Sequence, residues 1–73
     1  MIVRTFGEKF KILRSKRGYT QKELAKMLGY TQRRISDLEG LAFAPKEITV
    51  IHIAQVFGIK PKVFLSDYQG ELS

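Results

Sequence analysis

Between Thr20 and Glu39 the chain reads TQKELAKMLGYTQRRISDLE, and two short helical patterns meet there at Gly29. Thr20 followed three residues later by Glu23 is a capping box, in which hydroxyl and carboxylate satisfy N–H groups left open at a helix start. Leu24, Ala25 and Leu28 come next at helical spacing as a buried stripe, and Gly29 ends the run. Thr31 caps the following helix, which turns Ile35 and Leu38 inward and Gln32, Arg33, Ser36 and Asp37 outward. The small residue at 25 lets that helix come close. Gly29 supplies the left-handed backbone that reverses the chain, and Ile35 closes the wedge between the two helices. Helices joined by connections this short cross at steep angles and do not form a long bundle.

The rest of the chain reads as support for that pair. Thr5 and Glu8 form another capping box, and Phe6, Phe10 and Leu13 recur at four- and three-residue spacing, predicting a helix of about three turns that ends near Gly18. Tyr19 is a core anchor. Residues 40–45 form a loop, Pro45 suits the entry to a helix, and Thr49 to Phe57 continues that helix. The run ITVIHI is rich in β-branched residues and competes as a strand. Its continuation through Ala54 and Phe57 to Gly58 favours helix, with Val50, Ala54 and Phe57 on the core side. Pro61 opens a last short helix carrying Phe64 and Leu65, and residues 66–73 are a polar, loosely ordered tail. The expectation is an all-α, compact five-helix fold, a single domain over residues 1–73 with its helix-turn-helix core at 20–39.

A chain of 73 residues builds a core worth only about 3–5 kcal/mol, so a partner subunit or very efficient helix packing is expected. It has no cysteine, and His52 is its single histidine, so neither a disulfide frame nor a metal site is expected. No apolar run approaches the ~20 residues needed to span a bilayer and no signal peptide is visible, which makes the cytoplasm the default compartment. The net charge of +6 favours a polyanionic partner. Residues 1–34 hold ten basic side chains against two acids, whereas residues 35–73 hold three against five. Such a run is ordinarily a solvated face; here the turn-flanked helices fall within and beside it. Catalysis is not expected, because no nucleophile–base pair or phosphate-cradling glycine loop is present.

With Arg14, Gln21, Ala25, Gly29, Ile35, Glu39, Pro45 and Gly58 in place, the chain resembles the phage-repressor-like (Cro/Xre-type) helix-turn-helix family over residues 6 to 65 or so. The resemblance implies a lambda-repressor-like fold and double-stranded DNA as partner, with the third helix, at about residues 31–39, in the major groove. On that reading Gln32 and Arg33 meet base edges, the glutamine suited to adenine N6 and N7 and the arginine to guanine O6 and N7. Ser36, one turn later, touches a base or a thymine methyl. Thr20, Gln21, Lys22, Thr31, Arg34 and Lys46 are the expected phosphate contacts. Arg14 and Glu39 are expected to form an ion pair joining the first and third helices. Asp37 either accepts from cytosine N4 or orients Arg33 or Arg34.

The chain departs from the family pattern after Glu39. Gly40 comes one residue early, and Leu41, Ala42, Phe43 and Ala44 stand where a basic or polar loop is usual. Phe43 packs inward or contacts a protein; the sequence leaves both open. Ile53 and Val56 fall on a flanking face of their helix and are read as a dimer interface, the alternative being that they fill a small core. The expected function is a homodimeric, sequence-specific transcriptional regulator, a repressor, bound to a partly palindromic operator without cofactor or small-molecule substrate. The alternative is a protein-interaction module or antitoxin on the same fold.

Overall fold

The structure, a computed structural model, describes residues 4–65; the tail expected at 66–73 lies outside the described residues. The fold is all-α, and the described chain forms five helices: α1 (Phe6–Lys16), α2 (Gln21–Leu28), α3 (Gln32–Glu39), α4 (Glu47–Phe57) and α5 (Lys62–Leu65). No described helix is long and apolar enough to cross a membrane.

Both expected capping boxes form. The Glu8 N–H donates to Thr5 Oγ1 at 3.2 Å while the Thr5 N–H donates to the Glu8 carboxylate at 3.3 Å. At α2 the corresponding distances between Glu23 and Thr20 are 3.1 and 2.8 Å. Thr31 caps α3 through the Arg34 N–H at 3.1 Å, but an arginine in the reciprocal position leaves the box half made. Gly29 ends α2 at φ +75°, and the Tyr30 N–H returns 2.8 Å to the Ala25 carbonyl. That backward bond makes the turn between α2 and α3 tight.

The core draws on every helix: Phe6, Phe10 and Leu13 from α1, Leu24, Ala25 and Leu28 from α2, Ile35 and Leu38 from α3. Helix α4 adds Val50, Ile53, Ala54 and Phe57, and α5 adds Val63 and Phe64. Phe6 links the two ends, with its ring 5.9 Å from Phe10 and 5.2 Å from Phe64. Phe10 meets the Phe57 ring edge-on at 6.0 Å. Tyr19 packs partly buried against this cluster, as its anchor role requires.

The β-branched run over 48–53 is helical, and α4 begins at Glu47, two residues after the expected entry at Pro45. Helical spacing of the buried side chains overrides local strand preference there. The same spacing corrects the assignment of Ile53. Its side chain is fully buried in the core and offers nothing to a second subunit, while Val56 is half-buried against the same cluster. An 11-residue helix packed between neighbours buries a wider stripe than one row of side chains. Phe43 does not pack inward: it is 85% exposed.

Two backbone contacts fix how α1 meets α3. The N–H groups of Phe6 and Gly7 donate to the carbonyls of Ala42 and Leu41, at 3.4 and 2.9 Å. The free N–H groups of one helix start thereby satisfy carbonyls just beyond the end of another. Gly7 sits so close to the Glu39 carbonyl that a Cβ has no room. The loop after Gly40 thus supplies, through the backbone of Leu41 and Ala42, carbonyls that α1 needs.

Candidate nucleic-acid interface

Helix α3 has two sides of opposite character. Ile35 and Leu38 are buried and lock the rotation of the helix, while Gln32, Arg33, Arg34, Ser36 and Asp37 are all exposed. A helix pinned by two core residues and bare on the opposite face presents fixed side chains to whatever lies outside. Beside it runs a shallow groove of about 460 Å³ lined by Thr31, Arg33, Arg34, Asp37, Leu38, Leu41 and Pro45.

Glu39 anchors the far end. Arg14 Nε donates to Glu39 Oε2 at 2.5 Å, and a second Arg14 nitrogen donates to the Tyr19 carbonyl at 2.8 Å. Both side chains of the pair are largely buried, at 14% and 8% exposure. The other Glu39 oxygen accepts from Gln21 Nε2 at 3.0 Å. One carboxylate thus ties α1, α2 and α3 together, and the expected ion pair is a three-residue hub. Gln21 has one amide hydrogen committed to Glu39, and the second has no partner among the described residues.

The other expected phosphate residues surround the pair of helix starts. Lys22 is exposed in the first turn of α2, where the N–H groups of Gln21 and Lys22 have no intrahelical acceptor. The Thr20 and Thr31 hydroxyls accept the capping N–H groups of Glu23 and Arg34; the Thr20 hydroxyl hydrogen goes to the Glu23 carboxylate, and that of Thr31 has no partner among the described residues. The two bonds from Thr20 hold the Glu23 carboxyl below its ordinary value, with the Lys26 charge adding to the effect and desolvation opposing it. Lys46 is exposed at the start of α4.

Asp37 does not orient an arginine. Among the described residues no hydrogen bond or ion pair joins it to Arg33 or Arg34; the Arg34 guanidinium lies over the Tyr30 ring instead, 4.3 Å from its centre. An aromatic face one residue before the α3 cap competes with the carboxylate for the cation. Tyr30 went unread in the sequence, where it is only a turn residue. Gly7 and Arg17 were missed too. Arg17 donates 2.7 Å to the Phe57 carbonyl at the end of α4 and lies over the Phe57 ring. A glycine inside the first helical pattern was the one available signal of close approach. His52 is structural: its Nε2 is 2.9 Å from the Leu28 carbonyl, and its ring meets Tyr30 edge-on.

Two helices hinged at a left-handed glycine, the second bearing a bare polar face, define a helix-turn-helix domain. The chain belongs to that family, whose model, described as a helix-turn-helix domain, matches residues 7–70. A solution structure of the DNA-binding domain of the P22 C2 repressor, residues 1–76, is similar over the whole of this chain and 92% of that one, with a TM-score of 0.81 and 26% identity. A search of curated protein sequences gave no match.

Proposed function

We propose that this protein is a sequence-specific transcriptional regulator that binds double-stranded DNA with α3 in the major groove. The observation that carries the reading is the rigid, exposed face of α3, held by Ile35 and Leu38 beneath and by Glu39 at its end. Gln32 and Arg33 stand in its first turn and read base edges; Ser36 follows one turn later. Gln21, Lys22, Thr20, Thr31, Arg34 and Lys46 contact phosphates and set the register. The similar domain is named as the DNA-binding part of a repressor, and repression is the mode proposed here.

The protein acts as a homodimer on a partly palindromic operator, which sets two recognition helices about 34 Å apart. With Ile53 in the core, the dimer contact falls to Val56, half-buried on the same helix, and to the exposed apolar side chains on either side of the entry to α4, Phe43 at 85% and Ile48 at 71%. Selection of bound sites from a random duplex library near physiological salt tests the function. An enriched inverted repeat is the expected result. A folded sample that enriches nothing favours the second reading, a protein-interaction module docking through Phe43 and Ile48.

A further inference from the structure

We propose that Tyr30 is a positioning residue for the DNA contact made by Arg34, an inference that rests on the function proposed above. Tyr30 stands between α2 and α3 with its N–H bonded to the Ala25 carbonyl, so its backbone cannot drift from the turn. Its half-buried ring also meets His52, edge-on with ring centres 5.8 Å apart. His52 is itself fixed, because a carbonyl only accepts and Nε2 must donate to Leu28 at the end of α2. Over the Tyr30 ring lies the Arg34 guanidinium, 4.3 Å from the ring centre.

The chemistry of that stack matters. A guanidinium over an aromatic face is held by the ring's π electrons, which leave its charge in place, and among the described residues no carboxylate or carbonyl takes its N–H groups. A carboxylate partner would have used those hydrogens and cancelled the charge. Asp37 is near in sequence yet forms no such bond among the described residues. Arg34 is therefore restrained before binding while keeping both its charge and its donors for a phosphate. Its backbone is restrained as well, since the Arg34 N–H is the one that Thr31 caps. A long arginine side chain loses much conformational freedom when it is fixed on a ligand; here the ring removes part of that freedom in the free protein.

The test compares Tyr30→Leu and Tyr30→Phe, each with Arg34 and with Arg34→Gln, on the enriched duplex and on a mixed-sequence duplex at low salt. Tyr30→Leu is expected to weaken binding by about 2- to 5-fold, the size of an exposed cation–π contact. Tyr30→Phe keeps the ring and binds like wild type. Arg34→Gln lowers the slope of log affinity against log salt by about 1. In the Arg34→Gln background, Tyr30→Leu has no further effect. Equal loss in both backgrounds overturns the proposal, because a general fold defect weakens both alike; Tyr30→Met, which refills the half-buried site, repeats the comparison. Wild-type binding that Tyr30→Leu leaves intact overturns it as well and spares the DNA reading. A wild-type protein that binds neither duplex removes the DNA reading and this inference together.

Discussion

The carbonyl of Glu39 occupies the space that a side chain on Gly7 would need. The same Glu39 reaches with its carboxylate to Arg14, so α1 touches the end of α3 by backbone at one point and by ion pair at another. The orientation of the exposed helix is set by this junction.

Gly7→Ala tests it. Alanine suits a helix interior better than glycine by up to about 1 kcal/mol, so an unobstructed site would be stabilised. Here the obstacle is backbone, and overpacking of about 1–3 kcal/mol or more outweighs the gain. Thermal denaturation is expected to show a lower Tm, by about 5–15 °C for a domain of this size. A rise would mean that α1 and α3 separate easily.

Arg14→Ala removes the partner of a largely buried carboxylate. Breaking such a pair costs about 3–5 kcal/mol, comparable with the whole stability of a small domain. Denaturant titration is expected to show a partly or wholly unfolded protein at room temperature. Replacing both members, Arg14→Met with Glu39→Leu, recovers part of the loss, because no charge is then left uncompensated.

The faces of α4 give opposite expectations. Ile53→Ala opens a cavity in the core and is expected to cost about 2–5 kcal/mol. Ile48→Glu alters a side chain that is 71% exposed and leaves the Tm nearly unchanged. Sedimentation separates the roles: Ile48→Glu is expected to yield monomer where wild type is dimer.

On the DNA side, Arg33→Ala is expected to relax discrimination at one base pair by about 1–3 kcal/mol. Lys22→Ala weakens binding to all duplexes alike and reduces the salt slope by about 1. Competition binding with single-base variants at two salt concentrations distinguishes them.

Glu23 gives a pH expectation. Its folded-state value lies below the ordinary one of 4.5, chiefly because the Thr20 N–H and hydroxyl bond to the charged form. The stabilisation is fully present above the unfolded value and fades as pH falls through the lowered one. Glu23→Gln, which can still cap, is expected to flatten stability against pH on that acid side, read by melting between about pH 2 and 6.

Capping boxes, the α2 and α3 stripes and the Gly29 turn were legible in the sequence because each is decided by residues a few positions apart. Gln32, Arg33 and Ser36 were legible as an outward face for the same reason. Ile53 was misread because helical spacing says which residues share a face, and how wide a face is buried depends on neighbours distant in sequence. The clearance at Gly7, the third partner of Glu39 and the seat of Arg34 on Tyr30 all depend on tertiary placement. No local pattern carries them.

Phe6 and Phe64 lie near opposite ends of the described chain and touch. The first helix thus needs the last to cover it, and α3 rests on the first. Loosening α5, far from the exposed face, would withdraw support from α1 and then from the helix that α1 carries. Such closure is the arrangement expected of a single cooperative unit, in which affinity for a partner and integrity at the α5 end are expected to rise and fall together.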